Sequence, residues 1–284
     1  MSKSRKIKDN IQYFFIYVFA ALSVLALFFV VGFILKNGLS YLNLGFLVND
    51  YSVSDPNSGI LPMIMGTVYM VLLTLLIATP ISIFSALYLN EYAKNNKTTE
   101  VVRFAIDGLT SVPSIVYGLF GFSLFVTILS PVTGGYSILS GALTLTIMIL
   151  PTLIKTIEEA LKTIPNDIRE ASLALGASKV QTLFKVILPS CISGIITAII
   201  LGMGRVISES APLLLTAGMV YYMPKSIMSS SRTLTTHLYY LASEGVGDTA
   251  KAQAYATASV LIIIIVILNL LTKLVAKKLG KRVS

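Results

Sequence analysis

The sequence predicts an all-α integral membrane protein, a bundle of six membrane-spanning helices with both termini in the cytoplasm. Its composition, its long uncharged stretches and the distribution of its basic residues all indicate this class. Of the 284 residues, 55% are hydrophobic and only 12% are charged, and the mean hydropathy is +0.82. A soluble domain needs more charged surface, and no polar segment is long enough to fold separately, so we predict one membrane domain.

The apolar stretches divide into six candidate helices, because crossing a bilayer takes about 20 apolar residues. The stretch from Phe104 to Ile154 is too long for one helix, and Pro131 followed by Gly134 and Gly135 predicts a turn inside it. Four of the six helices hold an internal proline, which is typical of packed helices because a neighbour must satisfy the freed carbonyl. The domain covers 1–284, with predicted spans at 13–35, 60–89, 106–129, 137–157, 190–217 and 252–275.

The basic residues lie mostly on one side of these spans. The N-terminal tail, the loop after the second span, the 158–189 loop with its margins and the C-terminal tail hold 17 of the 22 lysines and arginines. Basic loops stay in the cytoplasm, so both termini are predicted to be cytoplasmic. The net charge of +9 then serves topology and contact with membrane lipid, and not nucleic-acid binding.

The 158–189 loop carries a pattern of two short amphipathic helices. Asn166 or Asp167 can cap the first, Gly176 suits the left-handed turn that ends it, and Ser178 can cap the second. Two architectures fit the pattern: helices that enter a groove on another protein, or helices that lie on the membrane surface. The apolar faces at helical spacing are Ile168, Ala171 and Leu175 in the first helix, and Val180, Leu183, Phe184 and Ile187 in the second.

The same loop resembles the EAA loop of ABC-importer permeases. The resemblance rests on Glu170-Ala171-Ser172, on Gly176, and on Leu188-Pro189, with Ser172 in place of an alanine and Val186 in place of an isoleucine. It implies that these residues dock into an ATPase subunit. The sequence holds no Gly-x4-Gly-Lys-Ser/Thr loop for nucleotide phosphates, so we expect this chain to bind no cofactor and a partner subunit to use the ATP.

A wider resemblance, from the second span onward, is to the PstA branch of phosphate permeases. It implies half of a heterodimeric pore in a bacterial or archaeal cell membrane. The implied partners are a PstC-type sister permease, two ATPase subunits and an extracytoplasmic phosphate-binding protein. The segments that carry the resemblance are Leu89–Ala93, Val112–Gly121, Ala142–Leu145 and Ser208–Gly218, with a looser match at Thr233–Tyr239.

Arg205 and Glu209 are the only ionisable residues deep within a predicted span. A charge at the bilayer centre costs about 2.5–3.5 kcal/mol, so each needs compensation, and the i, i+4 spacing allows them to pair on one helix face. Either they lie on an anion pathway, where the planar guanidinium binds an oxyanion, or they are a structural ion pair. Ser208 and Ser210 could add hydroxyl groups to such a pathway, although helix packing also explains them.

The leading interpretation is a phosphate-import permease, and other functions remain as alternatives. The nearest is a permease for molybdate or sulfate. An ion-coupled secondary carrier is another, although such carriers usually have more membrane-embedded acids. An intramembrane enzyme is disfavoured because no nucleophile–base pair or metal cluster is found: His237, the only histidine, is expected at the outer surface, and Cys191 is expected to be a buried apolar residue. We therefore assign no catalytic residue and no metal site.

Overall fold

Every regular element is helical in the part of the chain that the structure, a computed structural model, describes: residues 3–52, 55, 58–94 and 96–280. Four helical segments there are long and apolar enough to cross a membrane, Ile11–Leu39, Leu61–Tyr92, Ile138–Lys162 and Gly247–Leu271. Two bent pairs of helices bring the number to the predicted six if each pair is one span.

The helices vary from 3 to 37 residues in length. Three of them pass into π-helical turns, at Tyr88–Tyr92, Phe122–Ile128 and Leu183–Ile187. In chain order they are α1 (Lys3–Leu39), α2 (Leu44–Val48), α3 (Leu61–Leu87), α4 (Lys97–Thr110), α5 (Ser114–Gly121), α6 (Ser130–Thr133), α7 (Ile138–Lys162), α8 (Asn166–Ala174), α9 (Lys179–Thr182), α10 (Leu188–Ser190), α11 (Ile192–Ser208), α12 (Ala211–Thr216), α13 (Leu234–Ser243) and α14 (Gly247–Gly280).

The third predicted span, residues 106–129, is divided between two helices. The chain turns by 101° between α4 and the continuous segment Ser114–Ile128. Pro113 stands at the break in an extended conformation, with ψ at 139°. Proline lacks the N–H that would continue α4, and it disfavours helical geometry at the residue before it. The proline expected inside a helix therefore ends one helix and starts another.

The fifth predicted span, residues 190–217, is also divided. The chain bends by 65° at Cys191, between Lys179–Ser190 and α11. α11 then ends at Ser208, and after Glu209 and Ser210 the next helix, α12, begins with Pro212 in its first turn. A proline at position 212 would clash with the carbonyl four residues earlier in a continuous helix, so the helix stops there instead.

The other prolines expected inside the spans take two kinds of position. Pro80 and Pro151 lie inside α3 and α7, as predicted. Pro62 lies in the first turn of α3 and not in its interior. In the first turn of any helix, the backbone N–H groups have no acceptor within the helix, so a proline is tolerated there.

The core is built around α3 and α7, which pack along each other. These two helices supply most of the large side chains that are fully buried, among them Met63, Met70, Leu145 and Ile149. α5 packs on α7 and on α12, whereas α1 lies at the edge of the bundle and packs against α14. α5 and α12, the helices that follow the two breaks, therefore meet beside the central pair of α3 and α7.

Candidate functional site

Arg205 and Glu209 form an ion pair at the end of α11. Nε of Arg205 lies 3.6 Å from Oε1 of Glu209, and the two side chains are 35% and 16% exposed. The predicted pairing is present, but Glu209 has left the helix, with φ at −80° and ψ at 132°. A charge-assisted hydrogen bond spans about 2.7–2.9 Å, so the contact at 3.6 Å is a loose ion pair without a strong hydrogen bond.

The two serines beside Glu209 are used by the backbone around the break. The hydroxyl of Ser208, which is exposed, donates to the carbonyl of Arg205 at 3.0 Å. The carbonyl of Ser210 accepts from the N–H of Leu214 at 3.0 Å and so begins α12. Ser208 therefore closes the end of α11, while Ser210 starts the next helix.

The two helix breaks lie close together because α5 packs against α12. A Cβ at Gly118 would lie 2.8 Å from the Cα of Pro212, so the helices approach as closely as a glycine permits. One residue earlier, the hydroxyl of Tyr117 donates to the carbonyl of Leu109 at 2.8 Å, across the first break, and it is near enough to Arg205 to interact with its charge. The guanidinium thus lies at the second break, and its charge acts on the tyrosine that bridges the first.

A second attachment fixes the backbone of Glu209. The hydroxyl of Thr235 donates to the carbonyl of Glu209 at 2.9 Å. The neighbouring N–H of Leu234 donates to the hydroxyl of Thr67 in α3, also at 2.9 Å and in a buried position. Glu209 is therefore tied through α13 to α3, and α11 alone does not set its position.

His237 is completely buried, which corrects the expectation that it lies at the surface. Its Nδ1 lies 3.3 Å from Nη1 of Arg232, whose guanidinium is 4.2 Å from the ring centre of Tyr240 and 5.7 Å from that of Tyr221. Burial, reinforced by the charge of Arg232, lowers the pKa of His237 from 6.5 to about 3. Burial also lowers the pKa of Arg232. These contacts join residues within the segment 218–243, and no local sequence pattern predicts them.

The 158–189 loop has the predicted helix–turn–helix form. Gly176 has φ at +85°, and Ser178 caps α9 by accepting from the N–H of Gln181. The first cap differs from the prediction: Pro165 precedes α8, and Asn166 is its first residue. Of the remaining residues suggested by the resemblance, Glu170, Ala171 and Pro189 are exposed, Leu188 is half-buried, and Ser172 lies 2.9 Å from the hydroxyl of Thr182.

The predicted apolar face of the second loop helix is split in two. Leu183 and Ile187 are buried, whereas Val180 and Phe184 are 56% and 48% exposed. The π-helical turn Leu183–Ile187 holds more residues per turn than an α-helix, so the i, i+3, i+4 rule does not keep these side chains together. Together with Leu175, which is 90% exposed, the outward side chains leave an apolar surface open.

Sequence reasoning missed the contacts that hold this loop. Arg169 and Lys179 both bind Glu91, which lies 78 and 88 residues away in the chain. No local pattern links residues at such separations. Among the described residues, no three His, Cys, Asp or Glu side chains are grouped to hold a metal ion.

Comparison with known proteins places these features in a family. Residues 78–284 match the family described as binding-protein-dependent transport system inner membrane component. The probable ABC transporter permease protein YqgI of Bacillus subtilis (strain 168) is 34% identical over 295 residues, which is 99% of each chain. The phosphate transport system permease protein PstA of Xylella fastidiosa (strain 9a5c) is 42% identical over 54% of this chain and 52% of its own length.

A solved structure has the same fold. It is the crystal structure of a bacterial alginate ABC transporter in complex with an alginate pentasaccharide-bound periplasmic protein. One of its chains superposes with a TM-score of 0.67 over 96% of this chain and 98% of its own length. The sequences are only 14% identical, so this likeness establishes the architecture and not the substrate.

Proposed function

Because this chain belongs to the family of binding-protein-dependent transport system inner membrane components, the permease subunits of ABC importers, we propose that it forms half of the pore of an ATP-driven phosphate importer. It is a multi-pass protein of the plasma membrane and a transport subunit, not an enzyme. ATP hydrolysis in such importers belongs to a separate subunit.

Arg205 is the observation that carries the choice of an anionic substrate. Its guanidinium is only partly exposed, lies beside the helix break that follows Ser208, and is held by a carboxylate at 3.6 Å. A planar guanidinium binds two oxygens of a phosphate at once, which a loosely paired arginine is free to do. The relative from Xylella fastidiosa is named as a phosphate permease, which supports phosphate among the oxyanions.

Glu209 balances the charge of Arg205 when no anion is present. An unpaired charge inside a membrane protein is expensive, so the carboxylate stabilises the empty pathway. When a phosphate approaches, the two anions compete for one guanidinium, and the phosphate takes the place of Glu209 as the partner of Arg205. Because the backbone of Glu209 is fixed by Thr235, the carboxylate can return after the phosphate has passed.

The 158–189 loop is the proposed contact with the ATPase subunits. Leu175, Val180 and Phe184 present an apolar surface, and Glu170 and Ala171 beside it are exposed. An apolar surface on paired short helices fits a groove in another protein. The remaining members of the complex are a PstC-type sister permease and an extracytoplasmic phosphate-binding protein, with two copies of the ATPase subunit and both termini of this chain in the cytoplasm.

The test is transport by the complex co-expressed with these partners and reconstituted in lipid vesicles. We expect ATP-dependent uptake of radiolabelled phosphate that sulfate and molybdate do not inhibit. Arg205→Gln should abolish uptake while the complex still assembles. Lys251→Gln is the matched control, because it also removes a positive charge. Its side chain is 71% exposed and lies in α14, well after the break at Ser208 in the sequence.

Other results would favour other functions. ATP-dependent uptake of radiolabelled sulfate or molybdate that unlabelled phosphate does not inhibit would identify another oxyanion permease. Uptake that needs an ion gradient and no ATP would indicate a secondary carrier. Normal uptake by Arg205→Gln would show that the arginine–glutamate pair is structural.

A further inference from the structure

Glu91, Arg169 and Lys179, together termed the clamp, hold the 158–189 loop against the end of α3. Nη2 of Arg169 lies 2.9 Å from Oε1 of Glu91, and its Nε donates to the same oxygen at 3.1 Å. Nζ of Lys179 donates to the carbonyl of Glu91 at 2.7 Å and lies 4.5 Å from the ring centre of Tyr92. Glu91 therefore binds both loop helices, α8 through its carboxylate and α9 through its carbonyl.

The clamp is largely removed from water and well supplied with hydrogen bonds. The side chains of Arg169 and Glu91 are 16% and 10% exposed. Arg169 also donates to the carbonyls of Ile164 at 2.6 Å and Leu161 at 3.1 Å, at the end of α7. Charge-assisted hydrogen bonds in a partly buried site are stronger than those of an exposed ion pair. The loop therefore cannot shift against α3 without breaking several strong contacts.

The opposite end of α3 is attached to the Arg205–Glu209 site. Thr67, near the start of α3, accepts the hydrogen bond from the N–H of Leu234, and the next residue, Thr235, donates to the carbonyl of Glu209. α3 has 27 residues. At 1.5 Å per residue it is about 40 Å long. One helix thus joins the loop at one end to the segment that holds Glu209 at the other.

We propose that Glu91 passes movement of the 158–189 loop to α3, and that α3 carries this movement to Glu209 and changes its hold on Arg205. The proposal rests on the proposed function, since the loop must receive its movement from an ATPase subunit. Glu91 and Arg169 are positioning residues, because they act through α3 and contact no substrate. Coupling between distant sites needs an element whose position both sites bias, and α3 is that element.

The first test follows movement without reference to the substrate. Tyr239, in α13 one turn beyond Thr235, is 50% exposed, and the only native cysteine, Cys191, is buried. Tyr239→Cys therefore provides one reactive thiol, whose rate of maleimide labelling is measured in the reconstituted complex with and without ATP. We expect ATP to change this rate in the parent complex, and Glu91→Gln to remove the change while the rate without ATP stays the same.

The matched control is Asp107→Asn. It removes an ion pair of the same length, 2.9 Å between Nζ of Lys155 and Oδ1 of Asp107, which joins α4 to α7 and does not contact the loop. This variant should keep the effect of ATP on labelling at position 239. Absence of an ATP effect in the parent complex, or its survival in Glu91→Gln, would overturn the proposal.

The second test measures the phosphate imported per ATP hydrolysed. We expect this ratio to fall about tenfold in Glu91→Gln and in Arg169→Gln. The double variant should fall no further, because both changes break the same ion pair between Arg169 and the carboxylate of Glu91. A purely structural role would reduce the amount of assembled complex and leave the ratio unchanged, which would refute the proposal.

The two proposals can fail separately. If the parent complex imports no phosphate but shows ATP-dependent labelling that Glu91→Gln removes, the substrate assignment fails and the clamp stands. If it imports phosphate and Glu91→Gln changes neither the labelling nor the ratio, the substrate assignment stands and the clamp fails.

Discussion

Nε of Arg205 and Oε1 of Glu209 lie 3.6 Å apart across the end of a helix, so the pair joins a helical residue to an extended one. A helix fixes the relative positions of residues four apart only while both belong to it. Here the carboxylate also depends on the hydrogen bond from Thr235 to the carbonyl of Glu209. The separation between the two charges can therefore change without any change inside α11.

Glu209→Gln is expected to reduce phosphate uptake about tenfold, because nothing then competes with the anion for Arg205 and the phosphate leaves slowly. The measurement is the initial rate of ATP-dependent uptake in vesicles. The double variant Arg205→Gln/Glu209→Gln should show no uptake, like Arg205→Gln alone, because removing the carboxylate cannot replace the missing guanidinium.

Asp248→Asn serves as the control for this loss of a carboxylate, since its side chain is fully exposed and lies outside the site. A Glu209→Gln complex with normal uptake would contradict the competition between the carboxylate and the substrate.

Gly118→Ala is expected to destabilise the complex by about 1–3 kcal/mol, because the added methyl group would meet the Cα of Pro212 at 2.8 Å. The check is the melting temperature in detergent. Gly108→Ala in α4 is the matched control, since nothing lies within 4 Å of a Cβ at position 108. It should stabilise by about 0.5–1 kcal/mol, because alanine loses less entropy than glycine in a helix. Equal effects of the two changes would refute the close contact between α5 and α12.

Acid should loosen the segment that contains α13. The pKa of His237 is about 3 in the folded chain, against an ordinary value of 6.5. Between these values the unfolded segment binds a proton that the folded segment does not, so stability falls as the pH drops from 6.5 toward 3. The decrease is about 1.4 kcal/mol per pH unit, or about 2 kcal/mol at pH 5.

Hydrogen exchange of the α13 amides at pH 7 and pH 5, corrected for intrinsic rates, measures this effect. His237 is the only histidine, so His237→Gln should remove the pH dependence, while glutamine still offers Arg232 an acceptor. If His237→Gln retained the full pH dependence, another group would be responsible.

Gly176→Val is expected to reduce co-purification of the ATPase subunit about tenfold. Gly176 has φ at +85° with open space around it, so the change acts through backbone strain and not through a clash. Asparagine tolerates this conformation, so Gly176→Asn should bind the ATPase subunit nearly as well as the parent chain. Equal loss with both residues would indicate that the turn itself does not set the docking geometry.

Much of the helical framework follows from the sequence, because long apolar stretches in a membrane have few alternatives to a helix. α1, α3, α7 and α14 lie over four of the predicted spans. The breaks at Pro113 and Pro212 do not follow in the same way, since hydropathy continues across them. A proline can kink a helix, as Pro80 and Pro151 are placed to do, or end it, and neighbouring helices decide which.

The site was predictable only in part, for a related reason. The spacing of Arg205 and Glu209 indicates that they can pair, but it carries no information that the chain extends after Ser208. The burial of His237 depends on Arg232 and on Tyr51, whose ring centre lies 4.7 Å away although it is distant in sequence. The clamp likewise depends on residues brought together by the whole bundle.

The packing of α1 against α14 means that α1 can dock only late in the synthesis of this protein. The hydroxyl of Ser259 donates to the carbonyl of Ile34 at 3.2 Å, and the rings of Phe33 and Tyr255 meet edge to face at 5.8 Å. The bonded residues are 225 positions apart, so the ribosome must synthesise most of the chain before the first helix can meet its neighbour. Until then α1 lacks these contacts, and a chain cut short before α14 would leave it without this neighbour.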